Sequence, residues 1–170
     1  MPGGGAILIL AALPPDIFAW ADGLRRAHYP RERNRLAAHV TLFHGLPPSA
    51  QGEVHARLKS IASSAAPPEA HIASIMDLGR GTALRVESAG MEAIHAELAE
   101  QLHGIVQQQD LRPLQLHITL QNKVPEKEAR KLQAQLAGQG IDRSFRFTGL
   151  STHRWDGELW QFERSWPFRR

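Results

Sequence analysis

The tetrapeptides His39-Val40-Thr41-Leu42 and His117-Ile118-Thr119-Leu120 stand 78 positions apart, one in each half of a 170-residue chain. Side chains alternate between the two faces of a β-strand. In each copy the histidine and threonine therefore share one face, and the aliphatic residues take the other. A strand written this way buries one side and offers an imidazole and a hydroxyl on its opposite side. The pattern extends Phe43 onto the first polar face, and Gln121 and Lys123 onto the second. Each copy is followed by the same order of strand, helix and hairpin, with turns at Gly79-Arg80-Gly81 and Asp156-Gly157. The repeat is one of architecture more than of letters. It predicts a duplicated α+β unit whose two lobes face each other, and no linker separates independent domains, so residues 1–170 read as one bilobal domain.

The remaining elements follow from local signals. Residues 6–13 read as a buried first strand, closed by Pro14-Pro15, and helix 16–28 begins at that proline pair. The Arg-rich stretch 29–37 carries Pro30 and reads as a loop. Ser49 is placed to cap a helix through Ser64. Strands are expected over 70–78 and 82–88. A helix over 90–109 is marked by Met91, Ile94, Leu98, Leu102 and Ile105. Pro125 opens a helix that Gly138 and Gly140 end. Residues 144–153 and 158–164 are expected to be strands.

Composition narrows the chemistry. The chain has no cysteine, which excludes disulfides, thiolate nucleophiles and zinc–thiolate sites. No apolar run reaches the roughly 20 residues of a membrane span. The apolar stretch 6–13 lacks the charged start of a signal peptide, so the expected compartment is the cytoplasm. Net charge is only +3, but residues 25–35 hold five arginines against one glutamate, and residues 143–170 hold six against three acids. Guanidinium groups match phosphate oxygens in pairs, which points to a phosphorylated or nucleic-acid ligand.

If the two lobes face each other, two imidazoles and two hydroxyls line one cleft. Opening a cyclic phosphodiester needs a base for the attacking water and an acid for the departing sugar oxygen. Imidazole titrates in the range both steps want. Each threonine hydroxyl can donate to a phosphate oxygen that gains charge in the transition state. With acid, base and donors in place, the reaction needs no metal or cofactor.

The paired motifs, the repeat and the closing Trp155-Asp156-Gly157…Trp160 hairpin resemble the two-histidine phosphoesterase superfamily, which includes the 2'-5' RNA ligase and RNA 2',3'-cyclic phosphodiesterase families. The resemblance spans essentially the whole chain. It implies two antiparallel sheets facing a central cleft with helices outside. It implies metal-independent hydrolysis of 2',3'-cyclic phosphates on RNA ends or nucleotides, leaving 2'-phosphates, with possible reverse 2'-5' ligation. His39, Thr41, His117 and Thr119 are then the catalytic set, with His117 as base and His39 as acid. Bacterial ligase-type relatives place an arginine shortly after the second motif. Here Lys123 occupies that region, a point charge where they have a planar fork.

Further substrate contacts are expected from Phe43, by stacking on a base, and from Lys123, Arg35, Arg154 and Trp155. Arg31 and Arg33 belong to the same basic loop as Arg35. Trp155 and Trp160 also suit packing at the last turn. His44 and His153 lie near the expected cleft. His95 and His103 share a helical face, but their spacing is wide for zinc. The expected partner is RNA or a nucleotide bearing a 2',3'-cyclic phosphate. No membrane and no obligate protein partner is expected, and the chain is expected to be a monomer. Two other classes compete: an RNA-binding module that holds a terminal phosphate without turnover, and a metallohydrolase built on the nine histidines.

Overall fold

The structure is a computed structural model, and it describes residues 5–107, 110 and 112–169. The element order is β1 (Ile7–Ala12), α1 (Pro15–His28), β2 (Val40–Leu46), α2 (Gln51–Ser64), β3 (Glu69–Asp77), β4 (Thr82–Glu87), α3 (Ala89–Gln101), β5 (His117–Gln121), α4 (Glu126–Gln139), β6 (Arg143–Arg146), β7 (Gly149–Trp155) and β8 (Trp160–Pro167). The strands form two four-stranded antiparallel sheets, β2-β1-β7-β8 and β5-β4-β3-β6. The fold is the duplicated α+β architecture that the repeat predicts. α2 packs on β7 and β8, and α4 on β3 and β4.

The first half runs β1, α1, β2, α2, β3 and the second runs β4, α3, β5, α4, β6, β7, β8, and the two exchange strands. β3 leaves the first half to pair with β4, while β7 leaves the second to pair with β1. The continuous strand expected over 144–153 is therefore two strands in different sheets. β6 pairs with β3, the chain crosses at Phe147-Thr148, and β7 joins β1. The crossing is held at both ends, because Phe147 N–H donates to the Pro68 carbonyl and Thr148 N–H to that of Ala12. Phe147 is wholly buried there.

Several local expectations meet a different solution. Ser49 does not cap α2; a 3-10 turn over Pro48–Ala50 leads into it instead. α3 is shorter than expected and ends at Gln101, and the expected helical residues 108 and 109 lie outside the described residues. Ser88 caps its start by accepting the Met91 N–H. At the β3–β4 turn, Gly81 lies so close to β5 that a Cβ there would stand 2.3 Å from the Gln121 carbonyl oxygen.

β2 and β5 are the first strands of their sheets, and each carries a bulge at the leucine of its motif. Leu10 pairs with Thr41 and Ile9 with Phe43, so Leu42 is the extra residue. Ala83 pairs with Thr119 and Thr82 with Gln121, so Leu120 is the extra residue on β5. Alternation stops at both bulges. Phe43 is turned inward, fully buried, and stacks on His95 of α3 with ring centroids 4.5 Å apart. Gln121 is likewise buried and accepts a hydrogen bond from Thr82 Oγ1 at 2.8 Å. The expectation that Phe43 faces the cleft and stacks on a base is thus corrected: the extra residue rotates it into the core.

The core is one cluster that includes β1, β2 and β4 residues such as Ile9, Leu42, Phe43 and Leu84, and helix residues Val54, Leu98 and Leu136. Truncating Phe43 should behave as a core cavity. Phe43→Ala should lower folding stability by about 3–5 kcal/mol, read by denaturant unfolding. An unchanged midpoint, with only weaker nucleotide binding, would return Phe43 to the cleft.

Candidate active site

The two motif strands approach each other across the gap between the sheets. Between them lies a cavity of about 290 Å3, lined by His39, Thr41, His117 and Thr119 together with Leu8, Arg25, Tyr29, Arg33, Arg35, Leu36, His44 and Trp160. All four twin-motif side chains therefore reach one concave surface. A more open groove of about 1120 Å3 lies elsewhere, beside the start of α3, and contains none of them. Its lining is largely acidic, with Asp16, Glu69, Glu87 and Glu92, and it holds one histidine, His71, whose ring nitrogens lie 2.9 Å from Ser144 Oγ and 3.1 Å from Asp142 Oδ1.

The two imidazoles are held in the same way. His39 Nδ1 lies 2.8 Å from the carbonyl of Ala37, and His117 Nδ1 lies 2.7 Å from that of Gln115. In each case the carbonyl belongs to the residue two positions back. A carbonyl only accepts, so each Nδ1 carries hydrogen and donates. In the neutral ring Nε2 is then the basic nitrogen. Both rings enter with their tautomer fixed by the backbone ahead of the strand, a bond that the side-chain pattern does not reveal.

Burial pushes the His39 ring down from its ordinary 6.5 to about 4. The Ala37 carbonyl opposes this, while Arg25 and, after it, the neighbouring His153 and His117 add to the depression. Arg25 is the first of these in weight and the least expected. It lies on the buried face of α1 with Ile17 and Ala21, yet carries a guanidinium. Its Nη1 donates to the Thr119 carbonyl at 2.8 Å, its Nε donates to Asn34 Oδ1 at 2.9 Å, and its charge sits 4.1 Å from the Tyr29 ring centre. Desolvation lowers its own pKa. The sequence placed Arg25 only within a basic run. An arginine in register with the apolar positions of α1 was the signal that could have found it.

The basic loop lies over the cavity and joins the two halves. Arg33 Nη2 donates to the Lys123 carbonyl, and Arg35 Nη1 to the Glu158 carbonyl. Lys123 itself is exposed and has positive φ, and it meets Arg33 through its backbone and does not line the cavity. Arg35 does line it. Trp155 stands outside, packed at 5.3 Å from Trp160, and it is Trp160 that reaches the cavity wall. Arg154 is buried in the other direction. It bonds Glu163 at 2.7 Å and also Gln51 and the Gly5 carbonyl, which makes it an internal tie between β7, β8 and the start of α2. The expectation that Arg154 reaches substrate phosphate is corrected by that inward pairing. His95 is stacked on Phe43 and forms no pair with His103; among the described residues no group of three or more His, Cys, Asp or Glu is placed to hold a metal.

The fold and cleft define a bilobal α+β protein with a twin histidine–threonine site. The chain belongs to the 2'-5' RNA ligase superfamily, whose family model matches residues 13–159. Its fold is similar to that of TT0787 of Thermus thermophilus, with TM-score 0.69 and 16% identity over 96% of this chain and 98% of that one. It is also similar to Escherichia coli LigT complexed with 3'-AMP, with TM-score 0.61 and 15% identity over 98% and 99% of the two chains. Comparison with curated protein sequences found no match. No described helix is long and apolar enough to cross a membrane.

The His39 shift has a readable consequence. The unfolded chain takes up a proton there near 6.5, and the folded chain only near 4. Between those values the unfolded state binds more protons, so stability falls as pH drops through the window. His95 and His153 are shifted in the same direction. Proton NMR of the ring should place the His39 midpoint near 4. A midpoint above 6 would contradict the buried, cation-flanked setting.

Proposed function

We propose that this protein is a metal-independent cyclic phosphodiesterase that opens 2',3'-cyclic phosphates of RNA ends or nucleotides. The observation that carries the reading is the pair of rings whose Nδ1 atoms are both tied to backbone carbonyls, on strands that line one cavity. That arrangement frees two Nε2 atoms for proton transfer at a shared reaction centre. A binding site for phosphate alone has no need of two groups with matched tautomers.

The step balances with these residues. A water oxygen attacks phosphorus as its proton passes to the basic Nε2 of one neutral ring. The bond from phosphorus to one ribose oxygen breaks, and that oxygen takes a proton from the charged second ring. The products are a ribose hydroxyl and a phosphomonoester, and the two rings have exchanged protonation states. Thr41 and Thr119 donate to the non-bridging oxygens, where charge builds. Arg25, Arg33 and Arg35 supply positive potential to an anionic substrate. That Escherichia coli LigT, similar in fold, is found with 3'-AMP and with NADP+ accords with a nucleotide ligand. With a 5'-hydroxyl in place of the attacking water, the same ring opening joins the two strands through a 2'-5' phosphodiester, and hydrolysis is favoured in water.

His39 is neutral at pH 7 because burial holds its pKa near 4, so it is in the form that can accept a proton. We therefore place the base at His39 and the acid at His117, the reverse of the order implied by the family resemblance. The acidic limb of kcat/KM should then lie near pH 4, well below the usual histidine range. An acidic limb at 6 or above would give the base role back to His117.

The activity test is incubation of a short RNA ending in a 2',3'-cyclic phosphate with excess chelator, followed by identification of the phosphomonoester. The expected product is a 2'-phosphate. His39→Ala and His117→Ala should each lower turnover by about 10²–10⁴-fold, while Thr41→Val and Thr119→Val should lower kcat more than they raise KM. Tight RNA binding with no turnover in the unaltered protein would instead identify a binding module.

A further inference from the structure

The cavity holds a third histidine that the acid–base pair does not use. His44 follows the bulge at Leu42 and lies within a second irregularity of β2, between Phe43 and Leu46, and its side chain lines the cavity while Leu42 and Phe43 stay buried. Its ring is tied to Asp110: Nδ1 lies 2.8 Å from Oδ1, and the His44 backbone N–H donates to Oδ2 at 3.0 Å. The Asp110 side chain is only 2% exposed, whereas that of His44 is 54% exposed. Both carboxylate oxygens thus serve one residue. Nδ1–H donates inward to Asp110, and Nε2 is left at the open side of the ring. This is a carboxylate-backed imidazole, built as carefully as the two reacting rings but on a side chain and not a backbone carbonyl.

The charge balance of the cavity says what such a ring meets. Among the described residues no carboxylate lines the cavity, while Arg25, Arg33 and Arg35 do. The bonds from Arg25 and Arg35 go to uncharged oxygens, and the contact of Arg33 with Glu32 is loose at 3.9 Å. A cyclic phosphodiester brings a single negative charge. Three guanidinium groups around one anion leave the site electropositive, and a substrate with a second phosphoryl group corrects that. Five positions of extended chain separate His39 from His44, at most about 16 Å of strand. A nucleoside fits within that span, with its cyclic phosphate at His39 and His117 and its 5' side towards His44.

We propose that His44, oriented by Asp110, binds a second phosphoryl group on the 5' side of the nucleoside, and so selects 5'-phosphorylated cyclic phosphates over those that end in a 5'-hydroxyl. An imidazolium between a buried carboxylate and a phosphate is neutralised on both sides, and its two N–H groups each find an acceptor. The proposal rests on the cyclic phosphodiesterase reading and names the substrate feature that this site discriminates.

Two probes test it: adenosine 2',3'-cyclic phosphate and the same compound with a 5'-monophosphate. The unaltered protein should prefer the second by about tenfold in kcat/KM, a ratio equal to about 1.4 kcal/mol. His44→Asn keeps an amide N–H where Nδ1 donates to Asp110, but removes the nitrogen that faces the cavity. It should bring the preference close to unity, chiefly by raising KM for the 5'-phosphorylated probe. His44→Gln, whose amide reaches further into the cavity, should retain part of the preference. Equal losses on both probes would overturn the proposal and make His44–Asp110 a tie between β2 and the segment before β5. An undiminished preference in His44→Asn would overturn it too. If the unaltered protein opens neither probe nor the RNA end, the phosphodiesterase reading itself falls, and this selection with it.

Discussion

The site depends on one backbone irregularity made twice. An extra residue at Leu42 and at Leu120 lets each motif strand present histidine and threonine to the cavity and then turn its next side chain inward. Without it, Phe43 and Gln121 would follow Thr41 and Thr119 onto the polar face and occupy the space where a substrate must lie. Bulges of this kind re-aim side chains at functional sites. Here they also end the half-buried pattern cleanly. The leucine and the residue after it both go to the core, and the residues before them keep their alternation. β2 and β5 stand first in their sheets, so each has an edge without a ladder partner, and helix side chains satisfy part of it. Arg25 of α1 takes the Thr119 carbonyl, and His95 of α3 bonds the backbone at Leu42.

The same contacts set the electrostatics. Arg25 reaches β5 because α1 packs against that strand, and a guanidinium placed there adds to the depression that burial imposes on His39. The cost of holding a charge in this wall is reduced by bonds to Asn34 and Thr119 and by the Tyr29 ring. Burial and the nearby cations keep the His39 ring neutral until an anion arrives. The anion then lowers the cost of the imidazolium that proton transfer must create. Substrate binding and acid–base readiness are coupled through the potential of the site, with no moving part required.

The sequence carried the fold through periodicity and punctuation. The turns at Gly79–Gly81 and Asp156-Gly157, the proline-led helices and the twin motifs all act over a few residues and read correctly. His39, Thr41, His117 and Thr119 were legible because alternation holds over those three-residue spans. Phe43 was misread because a bulge is a pairing event, and its partner β1 lies more than thirty residues away. Arg154 was misread because its ion pair with Glu163 forms across the β7–β8 hairpin, where composition shows only a cation near a tryptophan. The split of 144–153 into β6 and β7 was hidden for a similar reason. Both pieces are strands, and what divides them is which sheet each joins. Arg25 had a local signal, its register with Ile17 and Ala21, and His44 had none before the bulges were known.

The exchange of β3 for β7 and β8 sets how the two walls of the cleft are joined. β7 is hydrogen-bonded along β1 at six successive pairs from Ile7–Arg154 to Ala12–Gly149, and β3 is paired along β4 in the same manner. Neither half of the chain owns a complete sheet, so each wall of the cleft is built from both halves, and the chain passes between the walls at α2–β3 and again at β6–β7. His39 and His117 stand on different sheets, and their spacing is set by α1 packed on β5, by the Arg25 bond to the Thr119 carbonyl and by the approach of β2 to β5. In-line attack and departure on opposite sides of one phosphorus depend on that spacing. One part of the cavity wall is held by few bonds. That part is the loop between α1 and β2, whose bonds to the far half are single: Arg33 to the Lys123 carbonyl, Arg35 to the Glu158 carbonyl, and the Trp160 N–H to the Arg35 carbonyl. These bonds involve two of the arginines that face the cavity. A phosphate that draws Arg33 and Arg35 inward competes for the same N–H groups that tie the loop down.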